Sequence, residues 1–159
     1  MKIGLISDTH DNVDNILRAV KKFQHAGVEF VIHLGDIVAP ATIKYFKGIN
    51  MKFITGNCDG DIEMIREKCD EMGFEYLGKT ADLKLDGKKI CVMHPDPSKA
   101  APELIGRFDY IFHGHTHVRR DEVVDGTHIV NPGAHYYKTE GTVAILDIPS
   151  GEVEFVKLR

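Results

Sequence analysis

Three short apolar runs mark the first half of the chain: KIGLIS (2–7), FVIHLG (30–35) and MKFITG (51–56). Each has the length of a fully buried strand and is too short for a buried helix. Segments of helical period follow them. In residues 11–27, Val13, Ile16, Leu17, Val20 and Phe23 share one helical face, and Gly27 supplies a stop. A short helix is predicted near 40–47, and a further one over 61–73 that ends at Gly73. Strand, helix, strand, repeated, constrains this half to a parallel sheet, because parallel neighbours need a long crossover and helices supply it.

The second half reads differently. TADLKLDGKKICVMH (80–94) holds two strand-like runs joined through Asp86-Gly87, a strong hairpin signal. A short helix is predicted over 97–106 and a strand in FDYIFHG (108–114). A second hairpin turns at Asp125-Gly126, and a last strand pair turns at Ser150-Gly151. This half is therefore rich in antiparallel strands. Two sheets packed face to face with helices outside accommodate both halves, an α/β architecture in one domain over residues 1–159. An all-β barrel does not.

Composition narrows function. The 159 residues carry a net charge of −4 with both signs interspersed, so no nucleic-acid surface is evident. No apolar run approaches a membrane span, and the apolar stretch after Lys2 is too short for a secretory signal. The three cysteines, Cys58, Cys69 and Cys91, show no C-x-x-C spacing. That disfavours a disulfide framework and fits a reduced, cytoplasmic protein.

The residues that follow the strands carry the chemistry. Asp8 and His10 follow the first run, Asp36 the second and Asn57 the third. His94 follows KKICVM, and His115 and His117 follow YIFHG. The C-terminal ends of strands form the ligand-binding rim of α/β sheets. Alone, each residue reads as a cap, a turn or a satisfied polar group. Together they are two aspartates, four histidines and one carboxamide. The i, i+2 spacing of Asp8/His10 and His115/His117 turns both members of a pair the same way if the backbone is extended. Mixed imidazole and carboxylate donors suit Mn, Fe, Co, Ni or Zn. Seven donors exceed one tetrahedral site and fit two adjacent sites sharing a carboxylate, about 3.5–4 Å apart. Two divalent ions against two aspartates leave a positive centre that attracts an anionic phosphate ester.

In order, DTH (8–10), GD (35–36), GNCD (56–59), MHP (93–95), GHTH (114–117) and NPG (131–133) resemble the motifs of the calcineurin-like metallophosphoesterases. Size is most similar to the small single-domain YfcE-type phosphodiesterases. The resemblance implies a four-layer α/β/β/α sandwich and two divalent metal ions, with manganese the first expectation. One ion would lie on Asp8, His10, Asp36 and His117. The other would lie on Asp36, Asn57, His94 and His115, with Asp36 bridging. It further implies a small phosphate-ester substrate attacked in one in-line step by a hydroxide bridging the metals. Homo-oligomers are common among such small folds.

Two positions depart from the family pattern. Cys58 stands where the family has a catalytic histidine, and thiols are weak donors. Pro95 stands where glycine usually follows the histidine, so the loop HPDPSKAAPE is built differently, with Asp96 and Lys99 expected near the substrate mouth. His113 precedes the ligand pair and matches no family ligand, although alternation would aim it with His115. His25, His33, His128 and His135 read as structural. Two other functions compete. One is a non-catalytic protein-interaction scaffold on the same fold, as in the retromer sorting subunit. The other is a nuclease, which would want a basic groove. Ser7 lacks the G-x-S-x-G setting of a serine hydrolase.

Overall fold

The computed structural model describes residues 1–135 and 140–159. Strands β1 (Lys2–Ile6), β2 (Val31–His33), β3 (Met51–Ile54) and β4 (Glu75–Gly78) run parallel in one sheet. Helices α1 (Val13–Ala26) and α2 (Ile62–Met72) lie in their connections. Strands β10 (Thr142–Asp147) and β11 (Val153–Lys157) complete the sheet antiparallel, in the order β11-β10-β1-β2-β3-β4. The second sheet has the order β5-β6-β7-β9-β8. Its strands are β5 (Thr80–Leu85), β6 (Lys88–Met93), β7 (Tyr110–Phe112), β8 (Arg120–Val124) and β9 (Thr127–Asn131). Both sheets are mixed and flanked by helices, as expected. The hairpin signals concealed one feature: β6, β7 and β9 run parallel to one another between the two hairpins.

Alternation along the strands sorts the apolar side chains into layers. Ile3 and Leu5 of β1, Ile32 of β2, Ile90 and Val92 of β6 and Phe112 of β7 meet between the sheets. Ile6, Val31 and Phe53 face the other way, against Ile16, Phe23 and Ile65 of the two long helices. Cys91, Met93 and Ile111 form the outer face of the second sheet, under Leu104, Ile105 and Phe108.

The helices begin and end on identifiable residues. Asn12 and Asp61 accept from the backbone N–H of Asn15 and Met64, which satisfies an otherwise unpaired donor in each first turn. The segment expected to be helical at 40–47 is a 3-10 helix, Pro40–Phe46, burying Ile43 and Phe46 at the i, i+3 spacing that this tighter coil aligns. The helix expected over 97–106 is broken into α3 (Pro97–Ala100) and a 3-10 turn, Pro102–Leu104. Pro102 has no N–H to continue the ladder and forces Ala101 out of the helical region, to φ −152° and ψ 59°.

Candidate metal centre

The C-terminal ends of β1, β2, β3, β6 and β7 come to one rim, where the two sheets clasp. The His94 Nδ1–H donates to the Leu34 carbonyl at 2.7 Å, tying β6 to the loop after β2. The His115 N–H donates to Asp8 Oδ2 at 3.1 Å. Gly114 lies against Asp8 so closely that a Cβ there would overlap Ser7 Oγ and come within 2.6 Å of Asp8 Oδ2. A Cβ at Gly56 would likewise overlap the Asp36 carboxylate. Only glycine lets the loops interlock at these two points.

Asp8 and Asp36 sit at the base, both buried. His117 Nε2 lies 3.1 Å from Asp8 Oδ1, and His10 Nε2 lies 3.8 Å from it. His10 Nε2 is also 3.6 Å from Asp36 Oδ2, so it reaches both carboxylates. His94 Nε2 is 3.3 Å from Asp36 and 3.9 Å from Asp8. Asn57 Oδ1 lies 3.0 Å from His94 Nε2 and 3.1 Å from His115 Nδ1. Two donor groups emerge, Asp8 with His10 and His117, and Asp8 with Asp36 and His94, each within 4.8 Å. All seven side chains named from the sequence therefore gather at one rim; Asp8, and not the expected Asp36, is common to the two groups, and Asp36 reaches the first through His10.

This donor set fits a cation. The Leu34 carbonyl takes the Nδ1 proton of His94, so the neutral ring presents a bare Nε2 to two carboxylates and a carboxamide oxygen. Lone pairs converge there with no proton between them, and a positive charge relieves the conflict. Burial opposes protonation of His94, but the Asp36 contact, the Leu34 carbonyl and the Asp8 charge together raise its pKa. The two carboxylates diverge. Burial raises the pKa of Asp8 against the hydrogen bond from Ser7. Burial also acts on Asp36, but His94 and the Cys58 N–H, at 2.9 Å, hold it well below the usual carboxylate range.

The backbone corrects one expectation. Asp8, His10, Asp36, His115 and His117 have φ of 54°, 42°, 59°, 66° and 63°. The pairs are thus coiled in the left-handed region, and extended alternation does not explain how they converge. Such φ values are uncommon outside glycine and concentrate strain at this rim. His113 does not follow His115 into the centre. It is buried and donates from Nδ1 to the Gly114 carbonyl, on the side of Asp96 and Arg120. Asp96 is also turned away from the mouth, capping α3 and pairing with Arg120 at 3.2 Å.

Several supporting residues lack an obvious sequence signal. Buried Asp59 accepts from the N–H groups of Asp36, Gly56 and Val38 at 2.8, 2.7 and 2.8 Å. Its place in GNCD was the available hint. Buried His33 accepts at Nδ1 from Gly35 N–H and donates from Nε2 to Thr9 Oγ1 at 2.9 Å, joining the first two ligand loops. Burial pushes its pKa down to about 3, so it stays neutral. Asn131 of NPG donates to the Gly114 carbonyl at 3.0 Å and steadies the GHTH loop. Cys58 is exposed. Its thiol pKa is raised, first by partial desolvation and then by the Asp36 charge, so it is a neutral thiol.

Residues 1–151 match the calcineurin-like phosphoesterase superfamily domain. Phosphodiesterase MJ0936 of Methanocaldococcus jannaschii is 34% identical over 166 residues, covering 100% of both chains. A solved archaeal phosphodiesterase superposes with a TM-score of 0.89 at 33% identity over 99% of each chain. The phosphoesterase YfcE of E. coli gives 0.75 at 16% identity over 100% of each chain, a likeness of fold alone. Vps29 of Entamoeba histolytica, solved with Zn2+, gives 0.65 at 18% identity over 100% of each chain, again a likeness of fold alone.

Proposed function

The chain belongs to the calcineurin-like phosphoesterase superfamily, and from that premise we propose that it is a phosphodiesterase working with two divalent cations. Asp8, His10, Asp36 and His117 would hold one. Asp36, Asn57, His94 and His115 would hold the other. The mixed nitrogen and oxygen donors suit Mn2+ first, and Ni2+, Co2+, Fe2+ or Zn2+ as well. Bound there, such ions supply Lewis acidity to phosphoryl oxygens and acidify a water for in-line attack.

The observation that carries this reading is the convergence of seven nitrogen and oxygen donor side chains, two of them buried carboxylates, on one rim. The full-length likeness to a phosphodiesterase supports it. The protein's own groups prepare the centre. Asp36, held well below the usual carboxylate range, stays ionised beside His94 and His10. The Leu34 carbonyl fixes the tautomer of His94. Buried Ser7 donates to Asp8, which leaves it no part as a nucleophile and favours a single displacement by water. Cys58, as a neutral thiol, protonates a departing alkoxide poorly. Good leaving groups are therefore the preferred substrates. Retention of all seven donors supports the enzyme over a non-catalytic scaffold. Free cysteines at 58, 69 and 91 fit a reducing compartment, the cytoplasm.

The test is hydrolysis of bis(p-nitrophenyl) phosphate by metal-stripped protein with Mn2+, Ni2+, Co2+, Zn2+ or Mg2+ added back. Metal-dependent turnover that disappears in Asp36→Asn is expected. Two bound ions with no turnover under any metal would overturn the reading and favour the scaffold.

A further inference from the structure

Beside the centre lies a cleft of about 350 Å3, within the size range of small-molecule sites. Asn57, His94 and His115 form its side toward the centre. Thr55, Gly56, Lys79, Thr80 and Pro95 form the rest. We propose that this cleft takes one ester substituent of the phosphodiester, and that Lys79 binds a second phosphate carried by that substituent. The proposal rests on the phosphodiesterase reading above and names its substrate class: a diester of a nucleoside-like group that bears a further phosphate.

Three features of the cleft carry the inference. First, Pro95 gives the wall an apolar ring where glycine would leave a gap. With the lysine stem, it offers a surface for a flat, partly apolar group. Second, the lining contains one cationic side chain, Lys79, and no carboxylate. In a chain of net charge −4, an uncompensated positive wall selects anions. Third, Lys79 is uncommitted. It is exposed at the crossover between β4 and β5 and forms no ion pair among the described residues. Lys52 and Lys68, by contrast, are paired with Glu75 and Glu71. Lys79 also belongs to the crossover between the sheets, so its backbone is anchored on both sides. A phosphate seated at the centre and a second one at Lys79 would bracket the substituent between them.

The experiment measures binding, by calorimetry on the Mn2+-loaded protein, of thymidine 3′,5′-bisphosphate and thymidine 5′-monophosphate. The wild type is expected to prefer the bisphosphate by about tenfold, the size of one charge-assisted contact. The preference should collapse in Lys79→Ala, invert in Lys79→Glu, and persist in Lys22→Ala, whose lysine lies on α1. Equal affinity of the wild type for both ligands, or an unchanged preference in Lys79→Ala, would overturn the proposal. The assay with bis(p-nitrophenyl) phosphate reports separately on the phosphodiesterase reading, since binding is read here without turnover.

Discussion

The two sheets share one core and differ behind it. The six-stranded sheet is backed by α1, α2 and a 3-10 helix, with Phe23, Phe46, Ile16 and Ile65 fully buried against it. The five-stranded sheet is backed by one turn of helix and a 3-10 turn, with partly buried Leu104, Ile105 and Phe108 as cover. Their rims differ in parallel. The thickly backed sheet presents both carboxylates, Asp8 and Asp36, and steadies them through Asp59 and His33. The thinly backed sheet presents three imidazoles, His94, His115 and His117, which are neutral when they bind a metal. The charged donors thus sit on the sheet with the deeper apolar backing. Neutral donors tolerate the lighter support.

That comparison can be broken at the rim, where the largest effect is expected. Asp36→Asn should lower metal-dependent turnover by about a thousandfold or more, the several kcal/mol that an anion shared by two cations, as proposed, would contribute. His115→Ala, on the other rim, should lose about 10- to 100-fold. Equal losses in steady-state kinetics would mean that both rims bear the charge alike. In the outer layers, Phe23→Ala should cost about 4 kcal/mol of unfolding free energy in urea. The matching change on the thin side, Leu104→Ala, should cost about 1 to 2 kcal/mol because its site is half-open to begin with. Comparable costs would contradict the difference in backing.

A pH experiment sharpens the comparison further. His33 lies beneath the carboxylate rim, with its folded pKa pushed down to about 3 by burial, while the unfolded value is near 6.5. The unfolded chain binds the proton and the folded chain does not. The contribution of His33 is therefore full above pH 6.5 and is lost as pH falls toward 3. Between pH 6.5 and 4.5 the loss is about 2 kcal/mol. In His33→Gln the slope of stability against pH should flatten by that amount, and an unchanged slope would exclude this origin. The smallest effect is chemical. Cys58→His should raise turnover of alkyl phosphodiesters selectively over aryl ones, by about tenfold if a general acid is restored. A uniform change would place the role of residue 58 elsewhere.

Much of this was legible in the chain because two signals are local. Apolar runs of strand length mark β1, β2 and β3, and the side chains just beyond them face the rim wherever strands end together. Pairing across sequence is not local. Nothing in TVAILDIPSGEVEFVKL says that β10 returns to β1 and not to its neighbours β8 and β9. Strand β4 escaped notice because Glu75–Gly78 is a four-residue edge with no full alternation. The left-handed residues escaped as well. Aspartate and histidine tolerate positive φ, but tertiary hydrogen bonds impose it here, and composition does not encode those. Asp59 and His33 belong to the same class: each matters through the backbone groups it holds.

The interlocking of Gly114 with Asp8 across the two sheets has a consequence for how the molecule assembles. Asp8, His10, Asp36 and Asn57 come from the first sheet, and the three histidines from the second, so neither sheet alone holds a complete donor group. Metal affinity is therefore a reporter of docking between the sheets. An ion captured there would therefore tie the two sheets together at their rim, on top of the core they share.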